Sequence, residues 1–200
     1  MRPREFTAEI TDVEPVMGDA ALITLTAPRG FADAVRAGEF VEVLCRTEHS
    51  YDPLLRRPYS IARVDRRQEA FTLLVRPYGR GSDWLVRQPV GAAIDVLGPL
   101  GNRFDVPAKA ANLLMVAGGV GAAPLMMLAD EALAQGKTVT YLMGGMNEDA
   151  LLPASALAGA VEYLVATDDG SRGHHGFVTD LVTEYLAWAD AVYACGPEPM

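Results

Sequence analysis

The sequence predicts two domains: an N-terminal antiparallel six-stranded β-barrel over residues 1–106 and a parallel-sheet α/β domain over residues 107–200. Three observations predict this. Residues 6–106 alternate in short β-like runs punctuated by turn residues, with no long helical period. From residue 112 the runs become apolar throughout and are separated by helical stretches, the pattern of a parallel sheet covered on both faces. Charge divides at the same place. Residues 1–106 hold 14 arginines against 15 Asp and Glu, whereas residues 107–200 hold three basic residues against 11 acidic ones.

The barrel strands are expected in FTAEITDVEPV, AALITLTAP, EFVEVLC, YSIARV, AFTLLVRPY and AAIDVLGP. In the second half NLLMVAGG reads as a buried strand, APLMMLADEALAQG as a helix closed by Gly136, and TVTYLMGG as a second buried strand. VEYLVAT and AVYAC are two further strands, with the amphipathic GFVTDLVTEYLAW as a helix between them. The uncharged run from Ala110 to Ala129 has the length of a membrane span, but its glycines and Pro124 make it strand, turn and helix.

Composition excludes several functions. A net charge of −9 and an isoelectric point near 4.8 argue against a nucleic-acid partner. The N-terminus, MRPREFTAEI, has no apolar signal core, so the chain is read as cytoplasmic with no membrane association. Cys45 and Cys195 are its only cysteines, too few for a disulfide framework or for the four ligands of an iron–sulfur cluster. No metal site is expected: Asp168, Asp169, His174 and His175 lack ligand spacing on a helix or strand. No hydrolase motif stands out either.

Four motifs carry chemistry. VAGGVGAAP, residues 116–124, lies between a strand and a helix, where glycines let backbone N–H groups approach a pyrophosphate and the helix N-terminus favours its charge. A plain tight turn is the alternative. LLRRPYSI, residues 54–61, offers Arg57 as a fixed cation with five donors, Tyr59 as a flat face for a ring, and Ser60 as a small donor or acceptor; an ordinary edge strand would look the same. RPYGRGSDWL, residues 76–85, reads as a second backbone-rich turn beside Arg76 and Arg80. ATDDGSRGHHGF, residues 166–177, places Asp168 and Asp169 after a strand, where carboxylates hold a ribose diol and repel a 2′-phosphate; Arg172 pulls the other way, and a solvated polar loop is the alternative.

Taken in order, LLRRPYSI, the G-x-G-S turn, VLGPLGNRF, VAGGVGAAPLM, ATDDGS…GHHGFV and YACGP resemble the ferredoxin–NADP reductase superfamily. LGPLGNRF together with ATDDGSRGHHG resembles, more narrowly, the electron-transfer subunits of class B, NAD-dependent dihydroorotate dehydrogenases. That resemblance implies a flavin-binding barrel and an NAD-binding domain, with FAD and NAD(H) as cofactors. It implies that Arg57, Pro58, Tyr59 and Ser60 line the isoalloxazine and phosphates, that Leu74, Val75 and Arg76 lie along FAD, and that Gly81 and Ser82 hold its pyrophosphate. Gly118, Gly119 and Gly121 would receive the pyrophosphate of NAD. Cys195 and Gly196 would border the nicotinamide, so Cys195 and Ser60 are the residues expected nearest the reacting atoms.

The implied function is electron transfer from dihydroorotate oxidation to NAD in pyrimidine biosynthesis. The implied partner is an FMN-containing catalytic subunit in a heterotetramer, reached through a 2Fe-2S cluster. This chain departs from the pattern, because the cluster cysteines follow the C-G-P motif and none occurs after Cys195. The second domain is therefore expected to be C-terminally truncated, with Pro199 opening a helix that continues beyond it. Rival readings are the NADH-binding flavoprotein subunit of a ferredoxin:NADP transhydrogenase or sulfide dehydrogenase, a stand-alone flavin or ferredoxin reductase, and a non-catalytic flavin-binding regulatory module.

Overall fold

The structure, a computed structural model, describes residues 2–47, 49–198 and 200, and Pro199 lies outside the described residues. The chain forms two compact units, residues 1–103 and 104–200.

The first unit is a closed antiparallel barrel. Its strands are β1 (Arg4–Met17), β2 (Ala20–Thr26), β3 (Phe40–Val43), β4 (Arg57–Asp65), β5 (Ala70–Val75) and β6 (Ala93–Leu100), in spatial order β1-β2-β5-β4-β3-β6. Closure removes the exposed edges that an open sheet would present. A short helix, α1 (Phe31–Ala34), was not expected from the sequence; it brings the fully buried Phe31 to within 5.3 Å of the ring centroids of both Phe6 and Phe71. Edge-to-face and tilted aromatic contacts of this kind stabilise beyond the area they bury.

RPYGRGSDWL also departs from expectation, because its second half is a helix, α2 (Arg80–Val86), and not a turn alone. The cause is local. The Ser82 hydroxyl accepts the N–H groups of Tyr78 and Gly79 at 2.9 and 3.1 Å and donates to the Gly79 carbonyl at 3.1 Å, which turns the chain into a helical start. Leu85 then anchors the helix against the barrel; burying it completely contributes about 1.5–3 kcal/mol.

The second unit is a five-stranded parallel sheet flanked by helices. Its elements are β7 (Asn112–Gly118), α3 (Ala122–Ala134), β8 (Thr138–Gly145), β9 (Glu162–Thr167), β10 (His174–His175), α4 (Val178–Tyr185) and β11 (Ala191–Cys195), and the sheet order is β10-β9-β8-β7-β11. The Ala110–Ala129 run thus becomes β7, a tight turn and α3. Among the described residues no helix is long and apolar enough to cross a membrane. The two-residue β10 was read as loop, and α4 ends earlier than its amphipathic pattern suggested.

Alternation along the strands assigns the helices to opposite faces. Leu114, Val116, Leu142 and Ala166 pack with Val178 and Leu181 of α4. On the other face the fully buried Tyr141 donates its hydroxyl to the Ala122 carbonyl of α3 at 3.1 Å. The chain runs β7, β8, β9 in one direction and then crosses back to place β11 on the far side of β7. That reversal creates a switch point at the carboxyl ends of β7 and β11, the position where open α/β sheets bind ligands.

At the opposite end of the same two strands, the Asp190 carboxylate accepts the N–H groups of Asn112 and Ala111 at 2.9 and 2.8 Å. These backbone bonds, the Asn112 bond foremost, hold the carboxyl below its usual value. A lowered folded pKa means the unfolded chain binds the proton more readily, so the contribution is present above an ordinary carboxylate pKa of about 4 and is lost as pH falls through the lowered value. Asp190→Asn is expected to lower the urea midpoint at pH 7, with the gap to wild type closing below about pH 4; parallel titrations at the two pH values check this.

Candidate functional site

The switch point of the second unit is built from two loops that touch. Strand β7 ends at Gly118 and leads through Gly119–Gly121 into α3, while β11 ends at Cys195, paired with Ala117, and leads into Gly196 and Pro197. A Cβ on Gly121 would sit 2.2 Å from the Cys195 carbonyl oxygen, and one on Gly118 would sit 2.8 Å from the Pro197 ring. Gly118 and Gly121 are therefore required for the loops to pack together. Gly119 differs: its φ is +54° and its Cβ direction is open within 4 Å. Of the three glycines expected at a pyrophosphate, it is the one whose surroundings leave room for a ligand to approach.

Helix α3 begins there with no side-chain cap and no acidic residue in its first turn. The Ala122 N–H already donates to the Gly119 carbonyl and Pro124 has no N–H, a missing donor that costs nothing in the first turn, so what this helix start offers an anion is chiefly its positive dipole end. Burial pushes the Cys195 thiol up, so it stays protonated at neutral pH. The backbone of Gly196 lies against this turn, with a Cβ there directed 3.2 Å from the Gly118 nitrogen.

The loops after β8 and β9 lie along the same carboxyl edge. The buried Thr167 hydroxyl accepts the Arg172 N–H at 3.0 Å and donates to the Arg172 carbonyl at 2.9 Å, folding residues 168–173 into a compact loop. Asp168 and Asp169 are exposed on it. The Asp169 carboxylate, held low chiefly by its bonds to Ser171, accepts the Ser171 N–H at 2.9 Å. Glu148, which no sequence motif singled out, joins the two loops: its N–H donates to the Ser171 hydroxyl at 2.8 Å and its carboxylate meets Arg172 at 3.2 Å.

In the barrel, several of the residues expected around FAD border a stretch where two strands part. Strand β4 pairs with β5 from Ile61↔Leu73 onward, but its first residues, Arg57 to Ser60, pair only with β3. Leu74 and Val75, on the opposing strand, pair only with β2. Both side chains are buried in the core, so only their backbone can face a ligand, and the Arg76 guanidinium is engaged with Asp19 at 3.0 Å. Alternation puts Arg57 and Tyr59 on one face of β4, and Pro58 and Ser60 on the other.

Gly81 closes the cluster. A Cβ there would be 3.2 Å from the Arg57 side chain and 3.3 Å from Cys45. The Tyr59 hydroxyl lies 3.7 Å from the Cys45 sulfur, and burial drives the Tyr59 phenol far above its ordinary pKa. Tyr59 therefore points its hydroxyl at Cys45 and keeps its proton throughout the physiological range. The Ser82 hydroxyl is occupied by its own loop, which leaves the N–H groups of the first turn of α2 as the donors. Cys45 and Arg46 were not singled out by the sequence motifs. Arg46 follows Cys45 and has one buried guanidinium nitrogen with no hydrogen-bond partner among the described residues.

Residues 115–200 match the oxidoreductase NAD-binding domain family. The second unit therefore carries an oxidoreductase NAD-binding domain, and the six-stranded barrel precedes it in the chain. The chain is 41% identical over 165 residues to the dihydroorotate dehydrogenase B (NAD(+)) electron transfer subunit of Geobacillus sp. (strain WCH70). It is 38% identical over 165 residues to that of Bacillus cereus (strain Q1). The chain is a homologue of these subunits. Each match spans 82% of this chain and 63% of the relative, so the chain spans less than two thirds of their length.

Among solved structures, an NADH-dependent reduced ferredoxin-NADP oxidoreductase superposes with a TM-score of 0.81 at 27% identity, covering 95% of this chain and 67% of that one. The ferredoxin reductase in carbazole 1,9a-dioxygenase superposes with a TM-score of 0.84 over 100% of this chain and 63% of that one; at 21% identity it shows the fold.

Gly121→Ala is expected to lower unfolding free energy by about 1–3 kcal/mol, because its methyl group would meet backbone that cannot swing away. Denaturant titration of the variant measures this.

Proposed function

We propose that this chain moves electrons between NAD(H) and a partner redox subunit through FAD, and that its physiological reaction passes electrons from dihydroorotate oxidation to NAD. The observation that carries the reading is the set of two anion cradles, one in each unit: Arg57 with the first turn of α2, and the Gly119 turn with α3. The residues present suit both groups. Arg57 supplies a permanent charge for a phosphate, and the opening between β4 and β5 exposes backbone for a ring. Identity to the dihydroorotate dehydrogenase B electron transfer subunits supports the narrower assignment.

Bound FAD would supply hydride chemistry with the nicotinamide and one-electron chemistry toward the partner. The residues of this chain bind and orient. Arg57 and the α2 turn hold the flavin phosphates, with Pro58, Tyr59, Ser60 and the backbone of Leu74, Val75 and Arg76 along the cofactor. Gly119 and the positive dipole end of α3 hold the pyrophosphate of NAD, and Asp168 with Asp169 disfavours a 2′-phosphate. Cys195 and Gly196 wall the nicotinamide, and a protonated thiol there excludes water without competing for the hydride. Hydride transfer needs orientation more than an acid–base pair.

The partner would be an FMN-bearing catalytic subunit. Any 2Fe-2S cluster between them would need ligands other than Cys45 and Cys195, the only cysteines here. A second reading, a flavoprotein subunit working between NADH and ferredoxin, is favoured by the likeness to the NADH-dependent ferredoxin-NADP oxidoreductase.

The full-length protein is expected to be yellow, to release FAD on denaturation and to be bleached faster by NADH than by NADPH. A colourless protein that takes up no FAD overturns the reading. Reduction of NAD by dihydroorotate in the complex with its partner, absent when ferredoxin replaces dihydroorotate, separates the first reading from the second. Arg57→Ala is expected to weaken FAD binding by about 1.5–3 kcal/mol, read by calorimetry of the apoprotein; unchanged retention removes Arg57 from the site.

A further inference from the structure

We infer that Glu148 is a specificity-determining residue: by pairing with Arg172 it neutralises the one cation at the carboxyl edge of the sheet, and so withholds it from a 2′-phosphate on the adenosine ribose. The inference rests on the NAD reading of the second unit and deepens it.

Three observations converge. The first is where the cations are. Residues 104–200 contain Lys109, Lys137 and Arg172 as their only basic residues apart from histidine. Lys109 precedes β7 and Lys137 immediately precedes β8, so both sit at the amino ends of the strands; the Lys137 ammonium is bonded there to the Ala110 carbonyl at 2.5 Å. Arg172 alone lies beyond the carboxyl ends, in the loop after β9.

The second is what Arg172 touches. Its Nη1 lies 3.2 Å from the Glu148 carboxylate, three residues past the end of β8. In open α/β sheets ligands bind outside the carboxyl ends of the strands, and β8, the strand next to β7 and its Gly119 turn, ends at that edge. Both side chains are about half exposed, so the pair contributes little to stability and its consequence is the local charge.

The third is how the pair is held. The Glu148 N–H donates to the Ser171 hydroxyl at 2.8 Å, and the Arg172 backbone is clamped on both sides by the Thr167 hydroxyl. Both partners are thus fixed at their backbones as well as at their charged ends. With Arg172 engaged, Asp168, Asp169 and Glu148 give this edge a negative balance, which admits a ribose diol and repels a phosphate dianion. The sequence motif alone set Arg172 against Asp168 and Asp169; the Glu148 contact resolves that opposition.

The test is calorimetric binding of NAD and of NADP, both in the oxidised form, to the flavin-loaded full-length protein and to three variants. Glu148→Gln removes the charge but keeps the shape. It is expected to lower the ratio of the NADP to the NAD dissociation constant about five- to tenfold. Arg172→Ala is expected to leave the wild-type ratio nearly unchanged, because that cation is already engaged. Glu148→Gln combined with Arg172→Ala is expected to lose most of the gain, since there is then no cation to release. An unchanged ratio in Glu148→Gln, or a gain that survives in the double variant, overturns the inference while leaving the NAD reading intact. Failure of the wild-type protein to bind either nucleotide overturns both.

Discussion

The arrangement of the second unit depends on the parallel pairing of β11 with β7. The pairing is fastened at one end by Asp190, whose carboxylate takes the N–H groups of Ala111 and Asn112, and at the other by glycines that let backbone touch backbone. Because the register is fixed between them, Cys195 comes to rest beside Ala117, and its loop meets the start of α3. Loss of that register would separate the cysteine loop from the glycine turn, and the carboxyl edge would cease to be a continuous site.

The same constraint assigns different work to glycines that look alike in the sequence. Gly118 and Gly121 have no room for a side chain because another loop occupies the space. Gly119, at φ +54°, faces open space and keeps the backbone approachable. One short motif therefore combines a packing requirement at two glycines with an open, left-handed backbone at the third. A side chain at the first kind of position is excluded by neighbouring atoms, and at the second by backbone strain and by the space a ligand would need.

The barrel reaches a comparable result by a different route. Where β4 leaves β5 at Ile61↔Leu73, the sheet opens, and the Arg57–Ser60 segment and the Leu74–Val75 backbone are left on the two sides of the gap. Cys45 and Gly81 then pack around Arg57 and Tyr59. Burial of the Tyr59 phenol and the Cys45 thiol disfavours their ionised forms, so the only permanent charge in this cluster is the guanidinium. Among the described residues of this cluster, an anionic ligand would meet that cation without an ionised side chain of opposite sign.

Much of this was legible in the sequence because it depends on local pattern. Strand alternation in residues 6–106, the apolar runs after residue 112 and the change in charge near their junction express periodicities that neighbouring residues alone set. The glycine turn, the Arg57–Ser60 strand and the exposed Asp168–Asp169 pair were identifiable for the same reason. Helix α2 was obscured because its start depends on a Ser82 hydroxyl folding back on Tyr78 and Gly79, and β10 because two residues carry no period. What only the tertiary structure decided were contacts between segments distant along the chain: Gly121 against Cys195, Cys45 beside Tyr59, and Glu148 on Arg172. Such contacts follow from strand order and register, which sheet topology determines and a one-dimensional pattern does not encode.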